Sequence, residues 1–215
     1  MTSTSYRARG RTKRSGETRA RIMDATRELL DEGSFHESTV EQVGERAGVS
    51  RATVYQHFPS RLDLVDAMCD TFGVNPALVR IRDSVELEDL GEAMRESIAD
   101  AMRFWSSEDS VLRQLYGVAA VDPAAKALVD RQLRDRRGEM QKLARRLDEG
   151  KMLRRGIDRA QALARLMVLT SYGTYRDLHE EGLSDAKAIR TLQEMATRLL
   201  LRESAARGAI RTRRP

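Results

Sequence analysis

Residues 39–60 read TVEQVGERAGVSRATVYQHFPS, two short helix-like segments joined through Ala47-Gly48-Val49. Thr39 followed by Gln42 has the spacing of a capping box, in which both side chains satisfy backbone amides left over at a helix start. This predicts a helix from Val40 to Ala47. Ser50 can cap a second helix running to His57, and Pro59-Ser60 then breaks the chain. Where two helices cross this closely, the residues at the crossing must be small and the turn needs one that tolerates positive φ. Gly44, Ala47 and Gly48 meet those demands, while Val43, Val49, Val54 and Phe58 supply inward apolar contacts. Left facing outward are Arg51, Ala52, Tyr55 and Gln56, with Thr53 and His57 at the edges. A plain helical hairpin in a bundle has no use for such a face.

Outward from this stretch, Ile22, Thr26, Leu29 and Leu30 form a helical stripe that Gly33 stops. A fourth helix carries Leu62, Val65, Met68, Cys69 and Phe72. Beyond Gly73 the pattern lengthens: one apolar face runs from Leu87 to Trp105 and a shorter one from Val111 to Tyr116. Asp122-Pro123 starts a long charged helix to Glu149. Residues 158–180 form the next, and Ser184 caps a last one to Ser204. The expected architecture is all-α, with about nine helices. The expected domains are a disordered basic arm (1–16), a helix-turn-helix domain (17–70), a larger helical domain (71–206) and a basic tail (207–215).

Composition agrees: 215 residues with 40% apolar side chains permit a sizeable core, and four prolines suit helices. The lone Cys69 has no partner in the chain for a disulfide. The Ser-, Thr- and Arg-rich opening lacks the apolar segment of a secretory signal, and no run approaches the roughly 20 apolar residues of a membrane span. A cytoplasmic protein is expected. The formal net charge of +5 is unevenly spread. Residues 1–21 hold seven basic side chains against one acid, a net +6, whereas residues 22–70 hold four against ten, a net −6. The tail adds +4. His36, His57 and His179 are scattered, without metal-ligand spacing, and phosphate loops and a nucleophile elbow are absent, so neither catalytic residues, metal nor cofactor is expected.

The stretch TVEQVGERAGVSRATVYQHFPSRLDLVDAM resembles the amino-terminal domain of TetR-type bacterial transcriptional repressors, over about residues 17–68. That resemblance implies double-stranded DNA as the partner. Thr39 and Tyr55 would hold phosphates, and Ser50 would cap the reading helix. Arg51, Ala52, Thr53 and Gln56 would lie along base edges, His57 near the backbone, and Arg61 on a phosphate. Arg11, Lys13 and Arg14 of the arm join this set as basic side chains able to track DNA. Gly44 stands where the family commonly has alanine, and Glu41 is a poor neighbour for phosphate. The resemblance also implies a ligand cavity among the middle helices, for which Phe72, Met94, Met102, Trp105, Tyr116, Met167 and Tyr172 are the candidate lining, and a homodimer through the last two helices. The expected function is a ligand-responsive repressor of a palindromic operator, released by a small-molecule effector. The other reading left open is a helical small-molecule-binding or protein-interaction module without operator binding.

Overall fold

The computed structural model describes residues 3–202, with side chains from Lys13 onward. Its ten α-helices are α1 (Ser3–Asp31), α2 (Val40–Ala47), α3 (Arg51–His57), α4 (Arg61–Thr71), α5 (Pro76–Val85), α6 (Leu90–Ala119), α7 (Pro123–Glu149), α8 (Arg159–Leu169), α9 (Tyr172–Glu180) and α10 (Asp185–Leu200). A single 3₁₀ turn, Phe72–Val74, follows α4. The all-α expectation is met, and among the described residues no strand forms beyond one isolated bridge, Leu153 to Leu201. No helix among them is long and apolar enough to cross a membrane.

Two compact units arise. The first comprises residues up to Phe72 together with Asp109–Val129, and the second Gly73–Glu108 with residues from Asp130 onward. In the first unit α1 packs on α2 and α4, and α2 on α3. Ile22, Leu30, Val43, Val54, Leu64, Val111, Leu112 and Leu115 are all but sealed from solvent in its core. In the second unit α10 packs on α8 and α9. Ile98, Met140, Leu143, Leu147, Leu166 and Leu192 fill its interior. The buried Asp100 is fully partnered there: it accepts from Arg80 Nε at 3.0 Å, Ser84 Oγ at 2.7 Å and Arg103 Nη1 at 2.7 Å. Those bonds offset the cost of taking a carboxylate out of water.

The α2–α3 unit forms as the sequence predicts. Thr39 and Gln42 make the reciprocal capping box, Gly48 sits at φ 64°, and Ser50 accepts from the Thr53 amide. Gly44 is needed for closeness rather than for φ. A Cβ there would lie 2.9 Å from the Val49 carbonyl oxygen and 3.3 Å from a Val54 methyl. The Val49 backbone is itself tied to the Gly44 carbonyl by a 2.8 Å bond, so it has little room to give. Gly44→Ala should therefore lower stability despite a gain of about 1 kcal/mol in helix propensity, because overpacking against backbone costs about 1–3 kcal/mol. A melting temperature about 2–4 °C lower is expected, and an equal or higher one would show that the crossing relaxes freely.

Elsewhere the elements differ from expectation. Helix α1 begins at Ser3, so the arm expected to be disordered over 1–16 is helical from Ser3. Extending a formed helix adds one bond per residue fixed and avoids the nucleation cost, so a polar segment with little apolar surface can still continue it. Helix α5 was not foreseen, although Asn75-Pro76 is a start signal: the Asn75 side chain accepts from the Ala77 amide at 2.8 Å. The faces expected as two helices at 87–105 and 111–116 are one, α6. Within it Ser107 turns back on its own helix, its Oγ donating to the Phe104 carbonyl at 3.0 Å. The expected helix 158–180 divides at Thr170-Ser171, where Ser171 caps α9 by accepting from the Thr174 amide at 3.0 Å. The basic tail at 207–215 lies outside the described residues.

Candidate nucleic-acid interface

Helix α3 is seven residues long and buries one of them, Val54. Arg51, Ala52, Tyr55 and Gln56 are exposed and Thr53 and His57 half-buried, as their spacing requires. The Arg51 guanidinium lies 5.5 Å from the Tyr55 ring centroid, a cation–π contact that narrows the freedom of both side chains. At the helix start, Ser50 Oγ bonds the Thr53 hydroxyl at 2.9 Å as well as the Thr53 amide at 3.2 Å, so both side chains are partly committed to the cap. Thr39 is exposed at the head of α2, its hydroxyl accepting from the Gln42 amide at 3.2 Å. The exposed carboxylates of Glu41 and Glu45 share α2 with it.

Basic side chains divide into committed and available groups. Arg46 pairs with Glu32 at 2.6 Å and Glu28 at 3.8 Å. The bond from Arg46 holds the Glu32 carboxyl below its usual pKa, and the same pair raises that of Arg46. Arg61, expected on a phosphate, is placed otherwise. Its guanidinium donates to the carbonyls of Phe35 and His36 and lies 4.6 Å from the Phe35 ring centroid. Burial lowers its pKa, which marks a cation drawn away from water. It ties the loop after α1 to the start of α4. Arg19 and Arg21, counted by sequence in the basic charge of residues 1–21, are also engaged: Arg19 lies 4.9 Å from the Phe58 ring centroid, and Arg21 donates to the carbonyls of Ala47 and Gly48. Lys13 and Arg14 are exposed on α1, and the side chain of Arg11 lies outside the described ones.

The seven residues expected to line a ligand cavity are divided between the two units. Phe72 and Tyr116 belong to the first unit, and Met94, Met102, Trp105, Met167 and Tyr172 to the second. Met94, Met102, Trp105 and Tyr172 are core residues, and the Trp105 and Tyr172 rings are in contact, 5.7 Å between centroids. A cleft of about 520 Å³ in the second unit is lined by Gly138, Gln141, Lys142, Arg145, Arg159 and Leu163, among others.

These features define a helix-turn-helix protein: two capped helices crossing at glycine, the second exposing Arg, Tyr and Gln. Residues 22–68 match the family described as bacterial regulatory proteins, tetR family. One curated relative is the HTH-type transcriptional regulator UidR of Escherichia coli (strain K12), 33% identical over 81 residues, which are 38% of this chain and 41% of that protein. The chain thus spans about two-fifths of the length of the curated relatives it first matches. Among solved structures, SmeT, the repressor of the Stenotrophomonas maltophilia multidrug efflux pump SmeDEF, matches with a TM-score of 0.65 at 18% identity, over 88% of this chain and 94% of that one. A SmeT–triclosan complex gives 0.66 at 19% identity, over 87% and 93%. At these identities the structures establish the shared fold.

Proposed function

We propose that this protein is a cytoplasmic transcriptional regulator, a repressor that binds a palindromic DNA operator as a homodimer and is released by a small-molecule effector. Residues 17–70 would read DNA and 71–206 carry effector and dimer contacts. The observation that carries the reading is the α3 surface, where exposed Arg51 and Gln56 stand beside Tyr55 on a helix positioned by two caps and a glycine crossing. Arginine and glutamine are the side chains that bond guanine and adenine edges in the major groove, and Tyr55 and Thr39 are suited to phosphate. Residues Ala52, Thr53 and His57 complete the face, with Ser50 as its cap. The dimer is supported by apolar side chains left in water on neighbouring helices: Val168 of α8 is 64% exposed, and Met195 and Leu199 of α10 are 43% and 38%. Arg165 of α8 donates to the Leu199 carbonyl at 2.5 Å, holding the two helices side by side. An exposed apolar patch of this kind suits association. The effector is supported by the likeness to SmeT, which was solved with triclosan. The homologues are regulators, which supports binding rather than catalysis.

Selection of bound fragments from genomic DNA tests the reading. One seven-residue helix spans too few base pairs to specify a site alone, so a two-fold dimer should select an inverted repeat with half-sites about one DNA turn, or a multiple, apart. Gln56→Ala should relax preference at one symmetric pair of positions, costing about 1–3 kcal/mol of discrimination. A motif without dyad symmetry would overturn the dimer, and an unchanged preference would overturn the role of Gln56.

A further inference from the structure

Helix α3 has little of its own to hold it in place. It is under two turns long, its interior contact is Val54 alone, and Phe58 at its C-cap is the next buried side chain. A reading helix must nevertheless present its side chains within a fraction of an ångström and a few degrees of the base edges. Two arginines of α1 stand at its two ends. Before α3, Arg21 donates from Nε to the Ala47 carbonyl at 3.0 Å, and from Nη2 to the same oxygen at 2.5 Å and to the Gly48 carbonyl at 2.7 Å. After α3, Arg19 lies on the face of Phe58.

The chemistry at the first end is specific. The last carbonyls of a helix have no partner within it and carry its partial negative charge, so a cation is favoured there. The Gly48 and Val49 amides close the end of α2 on Glu45 and Gly44, which leaves the Ala47 and Gly48 carbonyls to accept from elsewhere. Arg21 takes both with three of its five N–H groups, in the planar fork that lysine lacks. The approach is close enough that a Cβ on Gly48 would lie 3.0 Å from Arg21 Nη2. The guanidinium is thereby fixed on the turn that launches α3.

We infer that Arg21, assisted by Arg19, is a positioning residue for DNA reading: it sets the orientation of α3 from α1 through the turn carbonyls and does not itself bind phosphate. This rests on the DNA-binding function proposed above, and it parts from the charge pattern of the sequence, which would place both arginines among the DNA-binding cations. The two roles give opposite signatures. Loss of a phosphate contact lowers the slope of log affinity against log salt by about 0.9 and weakens all sequences alike. Loss of a positioning contact leaves the slope and blurs the preference for the right bases.

The test uses full-length Arg21→Met, of similar length but without donors, and Arg21→Lys, which keeps the charge and one donor nitrogen. Hydrogen exchange reads the clamp without DNA: the amides of Val54 and Phe58, bonded to Ser50 and Val54 respectively, should exchange about tenfold faster in Arg21→Met, while amides of α9 and α10 stay unchanged. Arg21→Lys should fall between Arg21→Met and the parent. Titration of the selected operator and a scrambled sequence across a salt series should show about tenfold weaker operator binding, reduced discrimination and an unaltered slope. Unchanged exchange in Arg21→Met, or a slope lower by about 0.9 per subunit, would overturn the inference. If the parent protein selects no DNA sequence, the proposed function fails, whereas the exchange rates still decide whether Arg21 holds α3. Should Arg21→Met prove unfolded, Arg21→Lys decides both readouts: its charge preserves a phosphate contact, so lost discrimination identifies the positioning role and parent-like binding refutes it.

Discussion

Deleting residues 1–14 should reduce the slope of log affinity against log salt by about 2–4 units per dimer, with a steep loss of affinity at low salt. The expectation follows from where the charge resides. Residues 22–70 carry a net −6, so the unit that presents α3 is repelled by DNA at long range. Within it Arg46 is paired with two glutamates and Arg61 is turned onto backbone carbonyls. Arg19 and Arg21 are engaged on Phe58 and on the α2–α3 turn. Five cations remain on the amino-terminal side, at positions 7, 9, 11, 13 and 14, and the deletion removes them all.

Helical backbone from Ser3 refines the expectation. Fourteen extended residues reach about 46 Å and could thread a minor groove, but the same number in a helix reach only about 21 Å and form a rod too thick to enter one. A helical arm is suited to tracking phosphates, which position the protein without reading sequence. Base preference should therefore be unchanged by the deletion, including at A·T positions flanking the half-sites. Titrations of full-length and truncated protein on one operator, from low to high salt, decide the matter. Equal slopes would make the arm a bystander and leave the acidity of the reading unit without compensation.

The parts of this molecule legible in its sequence are those whose determinants lie within a few residues. The α2–α3 unit needs a Thr39–Gln42 capping box, a left-handed residue at Gly48 and a Ser50 cap, and each acts across three residues or fewer. Its exposed face followed from helical spacing alone. The Asn75-Pro76 start of α5 and the Ser171 cap of α9 are equally local signals, masked by the apolar periodicity around them. Long-range partnerships were not legible. Arg21 meets Ala47 across 26 residues, and Trp105 meets Thr170 across 65. A sequence shows that an arginine is basic; whether its fork ends on phosphate, a glutamate or a carbonyl depends on how helices pack. For the same reason the charge count was right as arithmetic and incomplete as electrostatics.

Trp105→Ala should destabilise the second unit by about 3–5 kcal/mol, the largest effect expected of any single substitution considered. The sequence makes Trp105 a candidate for the wall of an effector cavity, but its surroundings are those of a core residue. It is 5% exposed, with the Phe104 ring at 4.9 Å on one side and Tyr172 at 5.7 Å on another, and Tyr175 beyond at 6.0 Å from Tyr172. Its indole Nε1 donates to the Thr170 carbonyl at 2.9 Å. That carbonyl sits at the break between α8 and α9, and the Thr170 hydroxyl donates to Leu166 while accepting from Arg136 Nη1 at 3.1 Å. Trp105 thus joins α6 to the α8–α9 corner by a buried bond as well as by ring packing. Alanine removes both, leaving a cavity and an unsatisfied carbonyl. Phenylalanine keeps most of the apolar contact and loses the donor, so Trp105→Phe should cost about 1–3 kcal/mol, the range for stranding one buried acceptor. Urea unfolding followed by circular dichroism separates the cases. A midpoint for Trp105→Ala equal to that of the parent would mean that the ring fills no core space and would return Trp105 to the cavity wall. A graded loss, alanine beyond phenylalanine, would fix it as the pillar between α6 and the corner at Thr170.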